Sequence, residues 1–125
     1  MPDDPFQSPK GEPSIGKGER RTVPRYPFIA SAKETDVETG AELAGRVSEL
    51  SQKGCFIDTP NPFARKTRIR LTIYHGNKVF NALGKVIYVL PNMGMGVVFT
   101  EVEPQEMQVL LAWLRECAGA PTNPN

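Results

Sequence analysis

The sequence predicts a mostly β fold: a six-stranded antiparallel barrel with one C-terminal α-helix. Three observations lead there. Between Phe28 and Thr100, apolar residues recur at every second position in short runs separated by Gly-, Asn- and Pro-containing turns, the period of half-buried strands. From Pro104 the period lengthens, with Met107, Leu110, Leu111 and Leu114 at the i, i+3, i+4, i+7 spacing of an amphipathic helix. The chain has 125 residues, enough for one domain rather than two. Six short strands of that size escape unpaired edges by closing on themselves.

The elements follow in order. Phe28 to Val37 reads as a first strand, and Glu38-Thr39-Gly40 as a turn with a glycine able to take positive φ. Leu43 to Leu50 runs back as the second strand. Gly54 to Thr59 is the third, ended by Pro60-Asn61-Pro62. Arg68-Ile69-Arg70-Leu71-Thr72-Ile73 alternates strictly, so Ile69, Leu71 and Ile73 are core candidates while Arg68, Arg70 and Thr72 face water. After His75-Gly76-Asn77 turns the chain, Val79 to Leu90 forms a long fifth strand. Gly84 inside it signals a bend or bulge. Pro91-Asn92-Met93-Gly94 turns again, and Gly96 to Thr100 is the sixth strand. Pro104 suits the first helical position. Glu103 and Glu106 sit near the positive end of the helix dipole and Arg115 near its negative end. Gly119 and Pro121 stop the helix. Trp113 lies off the main apolar stripe: buried, it anchors the helix on the barrel; exposed, it marks a protein interface.

Residues 1–19, acidic and rich in proline and glycine, read as a disordered N-terminal tail, and residues 118–125 as a short C-terminal one, leaving a folded unit at 20–117. Formal net charge is +1, so no global basic field attracts a long nucleic acid, and DNA and RNA are not expected partners. Cys55 and Cys117 are too few for a disulfide framework and read as small buried thiols in a reducing compartment. No secretory leader and no run of about 20 apolar residues is visible, so the expected location is the cytoplasm, without membrane insertion.

Chemistry concentrates in two short motifs. Arg21-x-x-x-Arg25, with Arg20 beside it, offers planar guanidinium forks that match phosphate oxygens and the O6/N7 edge of guanine. Pro24 and Pro27 stiffen this segment into an extended arm. Glu49-x-Ser51-x-x-Gly54 follows at the far end of the next hairpin. The Glu49 carboxylate can accept from guanine N1–H and the exocyclic amine. Ser51 can donate to a phosphate or brace the turn, and Gly54 lets the turn close. Each motif alone is common; their joint occurrence points to a small, doubly anionic, guanine-bearing ligand.

Together they resemble the signature of PilZ domains, bacterial receptors for cyclic di-GMP: an Arg-x-x-x-Arg pair followed by an Asp- or Asn-x-Ser-x-x-Gly turn. Gly54-Cys55-Phe56-Ile57 and Gly94-Met95-Gly96-Val97-Val98-Phe99 are similar to the family's strand after the turn and its last strand. The resemblance covers residues from about 20 to 117. It implies a PilZ-like barrel, cyclic di-GMP as ligand with no other cofactor and no metal, and Arg20, Arg21, Arg25, Glu49, Ser51 and Gly54 as ligand-binding residues. It also implies an effector protein as partner. Glu49 departs from the usual Asp or Asn, adding a methylene and a rotamer to immobilise. Some family members act through protein contacts without nucleotide, which makes an adaptor in motility or pilus control the alternative reading.

Signals for an enzyme are thin, and none is expected. His75 is the only histidine and falls at a turn; no Cys/His cluster has metal-ligand spacing, and there is no phosphate-binding glycine loop. Arg65, Lys66, Arg68 and Arg70 beside Phe63 could line a groove for single-stranded nucleic acid, but the near-neutral net charge and the few tyrosines and tryptophans argue against it, and a charged outer strand face is the preferred account.

Overall fold

A computed structural model describes residues 23–119 of the chain. Arg20, Arg21, the tail at 1–19 and residues 120–125 lie outside the described residues. The elements are β1 (Arg25–Asp36), β2 (Glu42–Ser51), β3 (Gly54–Asp58), β4 (Arg68–His75), β5 (Lys78–Leu90), β6 (Gly94–Glu101) and α1 (Pro104–Cys117). The strands close into an antiparallel barrel in the order β1-β2-β3-β6-β5-β4. All six expected strands and the helix are present, each within a few residues of its expected bounds. β1 begins three residues earlier than the alternation suggests, because Arg25, Tyr26 and Pro27 pair with Ser51, Leu50 and Glu49 of β2.

Alternation builds the core. On β1, Phe28, Ala30, Ala32 and Glu34 point inward while Ile29, Ser31 and Lys33 point out. Ile69, Leu71 and Ile73 of β4 are fully buried, as are Val47, Leu50, Cys55, Ile57, Phe80, Val86, Met95 and Val97. The bulge expected at Gly84 is there: β5 shifts register against β6 between Leu83 and Gly84, and again between Val86 and Tyr88. Gly40 and Gly76 take φ +79° and +64° in their turns. In the β1–β2 turn, the Asp36 carboxylate accepts the Glu38 and Thr39 N–H groups at 2.8 and 3.3 Å.

Helix α1 starts at Pro104 and is capped at its end by Gly119 at φ +80°, whose N–H reaches the Glu116 carbonyl at 3.0 Å. Its buried face differs from the expected stripe. Leu110 and Trp113 are buried while Leu111 is 37% exposed. Trp113 fixes this rotation: its ring lies 5.3 Å from Phe28, 5.5 Å from His75 and 6.2 Å from Phe80, measured between centroids. Trp113 is thus the helix anchor. His75 closes β4 rather than sitting in the turn, and it stacks 4.5 Å from Phe28, so its ring belongs to the same aromatic plug. Cys117, expected buried, is only half-buried at the end of the helix; both cysteines are free thiols. No helix among the described residues is long and apolar enough to cross a membrane.

Candidate functional site

Pairing register sets the outer face of the barrel. Pro27 of β1 stands opposite Glu49 of β2, Glu49 opposite Phe56 of β3, Phe56 opposite Gly96 of β6, and Gly96 opposite Tyr88 of β5. Neighbours of these residues, such as Leu50, Cys55, Ile57, Met95 and Val97, are buried in the core, so the row itself faces out. Ser48 is the extra residue of a bulge against β3, which keeps Glu49 on this outer face opposite Phe56; against β1 the extra residue lies on β1 itself, where Phe28 and Ile29 together oppose Ser48.

Arg25 joins the row at its β1 end. Its Nη1 lies 3.8 Å from Glu49 Oε1, with the two side chains 36% and 41% exposed. This is a solvated ion pair of small energetic weight, and both groups present donors and acceptors to the outside. One strand further down, Ser48 Oγ donates to Asp58 Oδ1 at 3.0 Å and Arg46 Nη2 lies 3.5 Å from Asp58 Oδ2.

Ser51 and Gly54 have a different placement. Ser51 is buried, and its Oγ accepts the Lys53 and Gly54 N–H groups at 3.1 Å each. It also approaches the Gly54 carbonyl at 3.3 Å. Of the two roles open to this hydroxyl, the structure displays the bracing of the turn. Gly54 is held by sterics: a Cβ there would overlap the Val97 carbonyl of β6 and stand 3.0 Å from the Val98 Cα. The turn is tied to β6 again by the Phe99 N–H, which donates to the Lys53 carbonyl at 2.8 Å. Arg25, Glu49, Ser51 and Gly54 therefore meet at one end of the β1–β2–β3 wall.

Phe56 and Tyr88 complete the surface and were not legible as site residues. Their rings lie 6.0 Å apart at 30°, over the backbone of β6. Cβ atoms on Gly94 and Gly96 would collide with the Phe56 and Tyr88 rings respectively, so the two glycines are what lets the aromatics lie flat on the sheet. Alternation puts Phe56 outside once Cys55 and Ile57 are inside, but its neighbour Tyr88 comes from a strand paired only in the folded barrel. The face offers a guanidinium, a carboxylate and two aromatic faces in one row. That is a donor, an acceptor and a stacking surface for a planar base.

The comparisons with known proteins follow the same architecture. The family model of the PilZ domain matches residues 19–116. Among solved structures, the PilZ domain of YcgR from Escherichia coli, determined with c-di-GMP, superposes with a TM-score of 0.60 at 18% identity, covering 81% of this chain and 98% of that one. The PilZ domain of CeSA from a cellulose-synthesizing bacterium gives 0.58 at 14% identity, over 76% and 95%. MotI/DgrA, the inhibitor of motility of Bacillus subtilis, gives 0.66 at 16% identity over 81% of this chain, which spans about half (53%) of that protein. No curated protein matches the sequence. A match over so much of the folded unit, together with the closed six-stranded barrel and its helix, means that the chain belongs to the PilZ domain family.

Proposed function

We propose that this chain is a receptor for cyclic di-GMP that carries out no chemistry itself. The observation that carries the reading is the juxtaposition of Arg25 and Glu49 on the outer face, 3.8 Å apart and in one row with Phe56 and Tyr88. On this reading Arg25, with Arg20 and Arg21 from the preceding arm, clamps guanine edges and phosphates. Glu49 accepts from a guanine Watson–Crick edge, and the aromatic pair supports a base. Ser51 and Gly54 act by shaping the turn that brings its backbone to the ligand. Binding orders the arginine arm, and the ordered arm presents a new surface to an effector protein. The receptor unit spans residues 20–117, flanked by tails at 1–19 and 118–125, and works in the cytoplasm.

Calorimetric titration with cyclic di-GMP tests this. Saturable heat is expected, and Arg25→Ala should weaken binding by roughly 5- to 150-fold, the equivalent of about 1–3 kcal/mol for one bidentate contact to guanine. An unchanged affinity in that variant would sink the assignment.

One observation favours a second reading, that of a PilZ-fold adaptor acting through protein contacts alone. Glu49 already has Arg25 as its ion-pair partner, so a nucleotide must compete for both. That reading predicts no heat at any nucleotide concentration in a protein that is otherwise well folded.

A further inference from the structure

Glu34 is the one carboxylate on the inner face of the barrel among the described residues. It is 0% exposed, and neither oxygen has a hydrogen-bond partner. Its strand neighbours explain how it fits. Glu34 stands opposite Leu43 of β2 and Leu71 of β4. Its Oε1 lies 3.2 Å from where a Cβ on Gly45 would stand, and that Cβ would also be 2.6 Å from Ile57 Cγ2. Only glycine leaves room for the carboxyl at this point of β2.

The groups that face it give a carboxylate nothing to bind. Along β4 the inner residues are Ile69, Leu71 and Ile73, and Phe80, Ala82, Val86, Met95 and Val97 fill the β5 and β6 sides. From β3 the facing titratable group is the Cys55 thiol, which is held well above the usual thiol range by burial and then by Glu34. The nearby charges on β1 and β2 point outward: Lys33 pairs with Glu42 at 3.7 Å, and Arg46 with Asp58 at 3.5 Å. Beyond the turn, Arg68 pairs with Glu38 at 3.7 Å on the outside.

We propose that Glu34 is a proton-operated lock on the β1–β2–β3 wall: as the neutral acid it lets the barrel close, and on losing its proton it loosens that wall. An unpaired neutral carboxyl in an apolar core is tolerable, whereas an unpaired carboxylate there is far more expensive. Burial accordingly raises the Glu34 carboxyl from the ordinary 4.5 to about 7. The direction of the linkage follows. Below pH 4.5 folded and unfolded chains both hold the proton, and stability is full. As pH rises above 4.5 the unfolded chain sheds it while the folded chain keeps it, so stability falls until pH passes about 7 and then levels off. The wall that loosens carries Arg25, Glu49 and the Ser51 turn.

Urea denaturation between pH 4 and 8, comparing the wild type with Glu34→Gln and Glu34→Leu, tests the proposal. Over that window the wild-type folding constant should fall by about 200-fold more than that of either variant, most of the gap between 4.5 and about 7 expressed as an equilibrium constant. Glu34→Leu should be the most stable of the three at pH 8. Hydrogen exchange should show the wild-type amides of β1, β2 and β3 gaining, between pH 6 and 8, more than the base-catalysed rate increase, and those of Glu34→Leu gaining only that. The same pH slope in both variants would overturn the proposal. Should Glu34→Gln fail to fold, Glu34→Leu carries the comparison. The infrared band of a neutral buried carboxylic acid in the wild type at pH 6 gives an independent reading, and its absence would also overturn the lock.

Discussion

Glycine serves two separate purposes in this chain, and the difference decides what substitution does. Gly40 and Gly76 have open space around them and are needed for their positive φ, so Gly40→Ala should cost about 1–2 kcal/mol. Gly54 is needed because β6 passes close by. Gly54→Ala must push the Val97 carbonyl aside and should cost about 3 kcal/mol or more, together with any ligand affinity that depends on the turn. Chemical denaturation of both variants would check the order. The turn glycines were legible from the sequence, since a dipeptide such as Thr39-Gly40 carries its own conformational meaning. The purpose of Gly54 was not, because the strand it must avoid lies forty residues away. Glu49 belongs to the same scale. Glu49→Asp shortens the side chain by a methylene and leaves one fewer rotamer to immobilise, and it should bind cyclic di-GMP several-fold more tightly. Calorimetry of that variant beside the wild type gives the ratio; weaker binding would show that the longer reach of Glu49 is what the site uses.

Helix α1 shows what an element reveals by itself and what it does not. Its start at Pro104, its end near Gly119 and its amphipathic period were all readable, because caps and period are local. The phase of its buried face was not. An indole ring seated against Phe28, His75 and Phe80 turns the helix so that Leu110 and Trp113 face the barrel and Leu111 faces out. Trp113→Ala should therefore cost about 3–5 kcal/mol, whereas Leu111→Ala should stay within about 1 kcal/mol. Equal losses in a melting experiment would return Leu111 to the buried face. The plug also joins the helix to β1 only three residues from Arg25, through Phe28.

For the whole molecule, closure is the property that matters. The sequence supplied the six strands and the reason to close them. The order β1-β2-β3-β6-β5-β4 needs two pairings between distant segments, β1 with β4 and β3 with β6, and the second of these joins Phe56 to Gly96 and so completes the row from Pro27 to Tyr88. Cys55 and Cys117 report on this closure. Cys117 is half-buried at the end of the helix, while Cys55 lies fully buried inside the barrel. At pH 6, where Glu34 keeps its proton, a thiol reagent should label Cys117 in the native state, and Cys55 only at the rate of global opening. Labelling both at one fast rate would mean that the barrel breathes far more than its packing implies.

That strand order has a temporal consequence. Hairpins β1–β2, β2–β3, β4–β5 and β5–β6 join neighbours in sequence, but β1 must find β4 and β3 must find β6 across more than thirty residues before either wall gains the other's support. Loop closure precedes reward at both seams, so this chain should fold in milliseconds to seconds rather than microseconds. A barrel pulled apart at a single seam loses the cooperative support of both.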